Sequence, residues 1–200
     1  MVLPTNLYAD IFRKKSFHPA DNKDFDLNTM IMDSEPRLRS EMEGNSLYQQ
    51  LVAYTIIINP KKQKVFCAER IGGEPRLIGS YCLGFGGHVD IEDFDLTNTN
   101  QIQKTAIREL REELYIHNKE LCLKHIGYVR DMTSNTSDHI GVIFLLETGS
   151  AFIKEKELLD GKWVSYEDFK SMYYSKLESW SKYIIDYLYE TPEWKKYLNF

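Results

Sequence analysis

Long apolar runs are missing from this sequence. None approaches the roughly 20 residues that a bilayer-spanning helix needs, so no membrane-crossing segment is expected. Cysteine is scarce as well. Cys67, Cys82 and Cys122 form an odd set with no close pair, which excludes a disulfide framework and predicts reduced thiols in a cytoplasmic protein. The opening stretch MVLPTNLYADIFRKK has no long apolar core behind a basic start, so no signal peptide is expected. No segment is rich enough in proline, glycine or serine to act as a linker, and there is no repeat or low-complexity tract. Basic charge is not in excess either. The net charge of -5 argues against an extended nucleic-acid surface, although a free nucleotide can still be bound by a local site.

What is present is enough apolar material for a core. Hydrophobic residues make up 42% and aromatics 13% of 200 residues, which suits one domain with an appended N-terminal segment. Residues 1–50 are mixed and polar, with scattered prolines, and read as an extension packed on the core; PRLRSEMEGNSLYQQL there holds a short helix or a turn. From residue 51 the pattern changes. LVAYTIIINP reads as a buried strand closed by Asn59-Pro60, and KKQKVFCAER as its hairpin partner. LIGSYCLGFGGHV, LKHIGYVRDM and DHIGVIFLLET supply further extended segments. GKWVSYEDFKSM switches to helical spacing, and LESWSKYIIDYLYE is an amphipathic helix with Trp180, Ile184, Tyr187 and Leu188 on one side. Strands in the middle and helices around them imply an α+β or α/β arrangement with a mixed sheet.

LGFGGHVDIEDF raises the chemical question. Glycines end an apolar strand, and Asp90, Glu92, Asp93 and Asp95 follow, as a turn or a cation site would require. The next segment, TNTNQIQKTAIRELREELYI, is helical, with Thr97, Asn98 or Thr99 as its N-cap. Ile102, Ala106, Leu110 and Leu114 recur every fourth residue and make one apolar face. Glu109, Glu112 and Glu113 fall in one sector beside it. Three stacked carboxylates repel. Arg108 and Arg111 offset part of that; hard Mg²⁺ or Mn²⁺ would offset more. A solvated, ion-paired face is the bland alternative for the helix taken alone.

The combination GGHVD…AIRELREEL resembles the Nudix box: a glycine, five residues, Glu, seven residues, then Arg-Glu-apolar-x-Glu-Glu-x-Gly-apolar. Gly87 matches the opening glycine, residues 108 to 113 match the core, and Ile116 the closing apolar position. The resemblance covers roughly residues 50–190 and implies a Nudix-type α/β/α sandwich over a 51–200 domain. Two departures stand out. Counted from Gly87 the first Glu falls on Asp93, but counted back from Arg108 it falls on Asn100, so about seven residues (100 minus 93) are inserted. That first carboxylate is absent or displaced to Asp93 or Glu92. Tyr115 also stands where the box has its second glycine. A left-handed cap there would be costly, so the helix should exit by another route.

The resemblance implies hydrolysis of a nucleoside diphosphate linked to another group, with Mg²⁺ or Mn²⁺ on Glu109, Glu112, Glu113 and the Gly86 carbonyl. Arg108 would hold one glutamate in place, and Gly87 and His88 would lie at the substrate. The loop IKEKELLDGKW offers a water-activating carboxylate. Glu157, six residues before Trp163, is the choice, with Glu155 and Asp160 as competitors and a solvated loop charge as the plain alternative. His88 either contacts a phosphate or merely fills the strand end, and the pair Asp138-His139 either lines the substrate cleft or ends a hairpin. Among Tyr48, Tyr54, Phe66, Tyr81, Phe85 and Tyr128 one ring could stack on a base while most fill the core. A homodimer is left open. A nucleotide sensor of the same fold would lose box glutamates, and this chain keeps them. An isoprenoid diphosphate isomerase would need an activated cysteine, and nothing marks Cys67 or Cys82 as one.

Overall fold

The computed structural model describes residues 1–23, 26–73, 75–93, 101–133 and 137–198. Its strands are β1 (Val2–Pro4), β2 (Phe17–Pro19), β3 (Tyr48–Asn59), β4 (Lys64–Arg70), β5 (Tyr81–Cys82), β6 (Gly84–His88), β7 (Leu114–Tyr115), β8 (Leu123–Val129), β9 (His139–Glu147), β10 (Phe152–Ile153) and β11 (Leu159–Ser165). Its helices are α1 (Thr5–Lys14), α2 (Leu27–Asp33), α3 (Arg39–Met42), α4 (Gln101–Glu113), α5 (Tyr166–Asp168), α6 (Ser179–Glu190) and α7 (Pro192–Leu198). The α+β content and the large mixed sheet match expectation. The chain resolves into two compact units, and β3, α4, β8 and β9 each contribute residues to both.

One unit comprises Met1–Tyr54, Gly86–Arg108 and His125–Phe144. Its sheet is built from β2, β8, β9 and the start of β3, with β1 and β6 also pairing on β3. Residues 1–50 thus supply two strands. β1 lies antiparallel to β3, with Val2 opposite Gln50 and Pro4 opposite Tyr48, and β2 lies on β8, with Phe17 opposite Val129. Between them α1 buries Tyr8 and Phe12, one turn apart, and places Arg13 and Lys14 in its last turn, where cations suit the helix dipole. Asp26 caps α2 by accepting from the Asn28 and Thr29 amides at 2.8 and 3.1 Å. Leu3, Leu51, Ala53, Val89, Tyr128 and Val142 are fully buried, each large apolar side chain contributing about 1.5–3 kcal/mol.

The other unit comprises Thr55–Phe85, Glu109–Lys124 and Leu145–Phe200. The end of β3 pairs with β4, Ile57 opposite Phe66, in the expected hairpin. Its turn is a short 3₁₀ segment over Pro60–Lys62, with the Asn59 side chain accepting from the Lys62 amide. β11 runs antiparallel along the whole of β4, from Leu159 opposite Arg70 to Ser165 opposite Lys64. The Trp163 segment is therefore strand, not helix. Helical geometry begins only at Tyr166, after Ser165 accepts from the Asp168 amide. α6 buries Trp180, Ile184 and Leu188, but its second buried row is Ile185 and Tyr189 rather than Tyr187. The Tyr187 position is half-buried at the margin.

Candidate active site

The glycine strand β6 is forced by packing. Gly86 has φ +153, and a Cβ there would sit 1.9 Å from the Ala53 carbonyl oxygen, so a side chain is excluded on both grounds. β6 pairs with β3, and the Val89 amide donates to the Leu51 carbonyl at 2.9 Å. Gly87 and His88, half-buried, follow at the strand end.

Arg108 lies in the middle of a dense polar network. Its Nη2 donates to Asp93 Oδ2 at 2.9 Å and its Nε to the same oxygen at 3.2 Å. Nη2 also reaches the His88 carbonyl at 3.3 Å and Asp90 Oδ2 at 3.4 Å. Thr105 Oγ1 donates to Asp93 Oδ2 at 2.9 Å. Burial opposes ionisation of Asp93, but the Arg108 and Thr105 hydrogen bonds and the guanidinium charge outweigh it, so its carboxyl sits below the usual range. Of the two carboxylates offered for the displaced first box position, Asp93 is built into the network and Glu92 is exposed. Asp95, the cap residues Thr97, Asn98 and Thr99, and Asn100 lie outside the described residues.

Ile102, Ala106, Leu110 and Leu114 are all buried, as the period required. Glu109 and Glu113 are half-buried and Glu112 is exposed. Arg111 turns away from them. Its Nη2 donates to the Asn118 and Lys119 carbonyls at 2.7 and 2.8 Å, and Nη1 to Ile116 at 3.3 Å. It ties down the chain beyond the helix instead of offsetting the glutamates. The Lys154 ammonium donates to the Arg111 carbonyl, and its amide to the Glu113 carbonyl at 2.8 Å, closing the helix end. Tyr115 needs no left-handed cap because it enters β7, directly opposite Phe152 of β10.

Among the described residues no three His, Cys, Asp or Glu side chains are gathered as a ready metal cage. The donor chemistry nevertheless fits a hard cation. Mg²⁺ keeps several waters and takes one or two carboxylates plus substrate phosphates rather than a complete protein cage, and α4 carries three carboxylates in one sector. Glu157 sits in the loop before β11, exposed like Glu155 and Asp160. No hydrogen bond or ion pair joins its side chain to the described residues. Its backbone lies against Gly72, where a Cβ would come 2.6 Å from the Glu157 carbonyl oxygen.

One cluster escaped the sequence reading. His88 Nε2 lies 3.0 Å from His139 Nε2, and His139 Nδ1 lies 2.7 Å from Asp138 Oδ1. That oxygen sits off the ring N–H line, so the contact is electrostatic rather than a linear hydrogen bond. Burial, with Arg39 and His139 adding to it, pushes the His88 pKa down to about 4. A pairing of residues 51 positions apart leaves no local signal. The remaining candidates resolve plainly. Tyr54, Phe66, Tyr81, Phe85 and Tyr128 are buried, while Tyr48 carries the Arg37 guanidinium over its ring at 5.3 Å. Cys67 and Cys82 are buried, which pushes both thiols up to about 12, the opposite of activation.

No protein-family model matches the chain. It is 28% identical to Protein YmaB of Bacillus subtilis (strain 168) over 193 residues, 90% of this chain and 93% of that one. Among solved structures it is similar to Tm1382, described as a candidate Nudix hydrolase, with a TM-score of 0.76 and 27% identity over 94% of this chain and 97% of that one. It also shares its fold with a NUDIX hydrolase from Alicyclobacillus acidocaldarius, with a TM-score of 0.57 and 15% identity over 76% and 96%. A third likeness is to a bifunctional NMN adenylyltransferase/ADP ribose pyrophosphatase from Francisella tularensis, complexed with AMP and Mn ion. Its TM-score is 0.51 at 18% identity, over 71% of this chain and 41% of that one.

Proposed function

We propose that the chain is a Nudix hydrolase, as its likeness to Tm1382 supports, and that it is a divalent-cation-dependent hydrolase of a phosphoanhydride bond in a nucleoside diphosphate derivative. The observation that carries the reading is α4. Its apolar face is wholly buried, and Glu109, Glu112 and Glu113 share the sector beside that face. These three carboxylates would hold Mg²⁺ or Mn²⁺. The cation supplies neutralisation of the phosphate oxygens as water attacks. Arg108, gripped by Asp93, ties the second half of α4 to the His88 carbonyl. Gly87 and His88 lie at the substrate, and Glu157 orients or deprotonates the attacking water.

The reading is tested by incubating the full chain with nucleoside triphosphates, nucleotide sugars, ADP-ribose and dinucleoside polyphosphates in Mg²⁺ or Mn²⁺. Metal-dependent release of a nucleoside monophosphate or of phosphate is expected for at least one class and should vanish with EDTA. Tight binding of a nucleotide with no turnover in either metal would overturn hydrolysis in favour of a sensor of the same fold.

A further inference from the structure

Three groups, Asp138, His139 and His88, form a line across the start of β9 and the end of β6. Asp138 is held from behind. Its backbone carbonyl accepts from the Gln50 amide at 2.7 Å, and its Oδ2 faces the Gly44 amide at 3.3 Å and Gln50 Nε2 at 3.4 Å. Its Oδ1 stands 2.7 Å from His139 Nδ1. At that distance a ring lone pair facing the carboxylate would be repelled, so the His139 proton belongs on Nδ1. His139 Nε2 then carries a lone pair. It faces His88 Nε2 at 3.0 Å, a separation that requires one hydrogen between the two nitrogens. That hydrogen must come from His88 Nε2. This assignment turns the His139 Nδ1 proton toward the Asp138 charge and places one hydrogen between the two Nε2 atoms, and it leaves His88 Nδ1 a bare acceptor.

We propose that Asp138 and His139 are positioning residues that lock His88 in its Nε2–H tautomer, so that His88 Nδ1 accepts a hydrogen bond from a sugar hydroxyl of the bound nucleotide rather than donating one to phosphate. The ligand half of this rests on the reading of the chain as a nucleotide hydrolase; the tautomer half does not. A phosphate oxygen is itself an acceptor and gains nothing from a lone pair. A ribose hydroxyl is a donor and does. His88 therefore reads the sugar, not the charged group.

The tautomer is read without ligand or turnover from the full chain labelled with ¹⁵N-histidine. The expected spectrum shows His88 protonated on Nε2 and His139 on Nδ1; a His88 protonated on Nδ1 overturns the lock. Two variants divide the line. In His139→Gln the amide oxygen still reaches His88 but the Asp138 contact is lost. In His139→Asn the Asp138 contact survives and the reach to His88 does not. His88 should keep its tautomer in the first and lose it in the second, and the reverse result would make His139 a structural tether of Asp138 only. Binding is read by calorimetry with ADP, 2′,3′-dideoxy-ADP and inorganic phosphate. The wild-type chain should prefer ADP to its dideoxy analogue by up to about tenfold, the scale of one neutral hydrogen bond. His88→Leu should erase that preference and leave phosphate affinity unchanged. Equal binding of the two nucleotides by the wild-type chain, or a fall in phosphate affinity with the preference intact in His88→Leu, overturns the sugar assignment.

Discussion

The polar groups of this chain are of two kinds, and the contrast between the Arg108 network and the loop before β11 shows it best. Around Arg108, acidic, basic and hydroxyl groups are matched within hydrogen-bond distance, and the Asp93 side chain is only 14% exposed. In the loop at 154–158 the carboxylates of Glu155 and Glu157 stand in solvent, while the backbone is pinned by Ile71 and Gly72, whose amides donate to the Leu158 carbonyl at 2.9 and 3.2 Å. The first arrangement uses its charges on itself. The second fixes the chain and leaves the charges for something else. Charge alone therefore does not mark the chemistry; what a charge already holds does. Glu112, exposed on a helix whose opposite face is buried, tests the contrast from the helix side.

The contrast is sharpened most by Glu112→Gln. Removing a charge meant for a cation should remove several kcal/mol of transition-state stabilisation, roughly 10²–10³-fold in kcat, with the melting temperature within a degree or two of wild type because the side chain is exposed and glutamine keeps its shape. Turnover near wild type in Mg²⁺ would show that the carboxylate is only a solvated face. Next comes Glu157→Gln beside Glu155→Gln. Loss of a general base costs about 10²-fold or more, and it should fall on Glu157 with Mn²⁺ affinity little changed. If only Glu155→Gln collapses kcat, the loop supplies the base from a different residue; if neither does, the base lies outside the loop.

Asp93→Asn probes the other side of the contrast. A residue that orients another costs about 10- to 100-fold when lost, and its effect should appear in stability as well as rate. The sign follows from linkage. The folded-state pKa of Asp93 lies below its ordinary value, so its ionised form is favoured by folding. The stabilisation is present above the unfolded pKa of about 3.9 and is lost as pH falls through the folded value. Urea midpoints measured from pH 6 down to pH 3 should converge between wild type and Asp93→Asn as the pH drops. Parallel midpoints across that range would place Asp93 outside the Arg108 network.

These residues also mark how far the sequence could be read. The β3–β4 hairpin, α4 and α6 follow from alternation and four-residue recurrence sustained over whole elements, because burial of one face imposes a period. β1, β2, β7 and β10 are two or three residues long, too short for any period, and exist only through their partners. The Trp163 segment was misjudged because GKWVS runs straight into YEDFKSM. The helical spacing of the second half masks a strand whose partners on β4 are 89 to 101 residues away in chain order, from Leu159 opposite Arg70 to Ser165 opposite Lys64. Within the candidate site, Gly86 and the three glutamates were legible because close backbone approach and a shared helical sector depend on type and spacing. Arg111 was not, since its carbonyl partners carry no side-chain signature. Nor was the His88–His139 contact, which depends on β6 and β9 meeting.

The smallest effect is expected at Tyr115, where the chain departs from the family signature. The ring is 59% exposed and Phe152 opposite it 57%, with the Lys154 ammonium 5.1 Å from the Tyr115 ring centre. This is a helix exit held by a two-stranded pair and a cation over an aromatic face, all near water. A cross-strand aromatic pair contributes about 0.2–1 kcal/mol, and an exposed cation–π contact about 0.5–1. Tyr115→Gly removes both and adds glycine's entropic cost of about 0.5–1 kcal/mol in a strand. The variant should lose roughly 1–2 kcal/mol in urea unfolding, counting these non-additive terms together, while kcat changes less than about threefold. The exit is then a structural substitute for a glycine cap, built from β7 and β10. If Tyr115→Gly instead abolishes turnover with the urea midpoint unmoved, the exposed ring belongs with Glu157 among the groups kept free for the ligand.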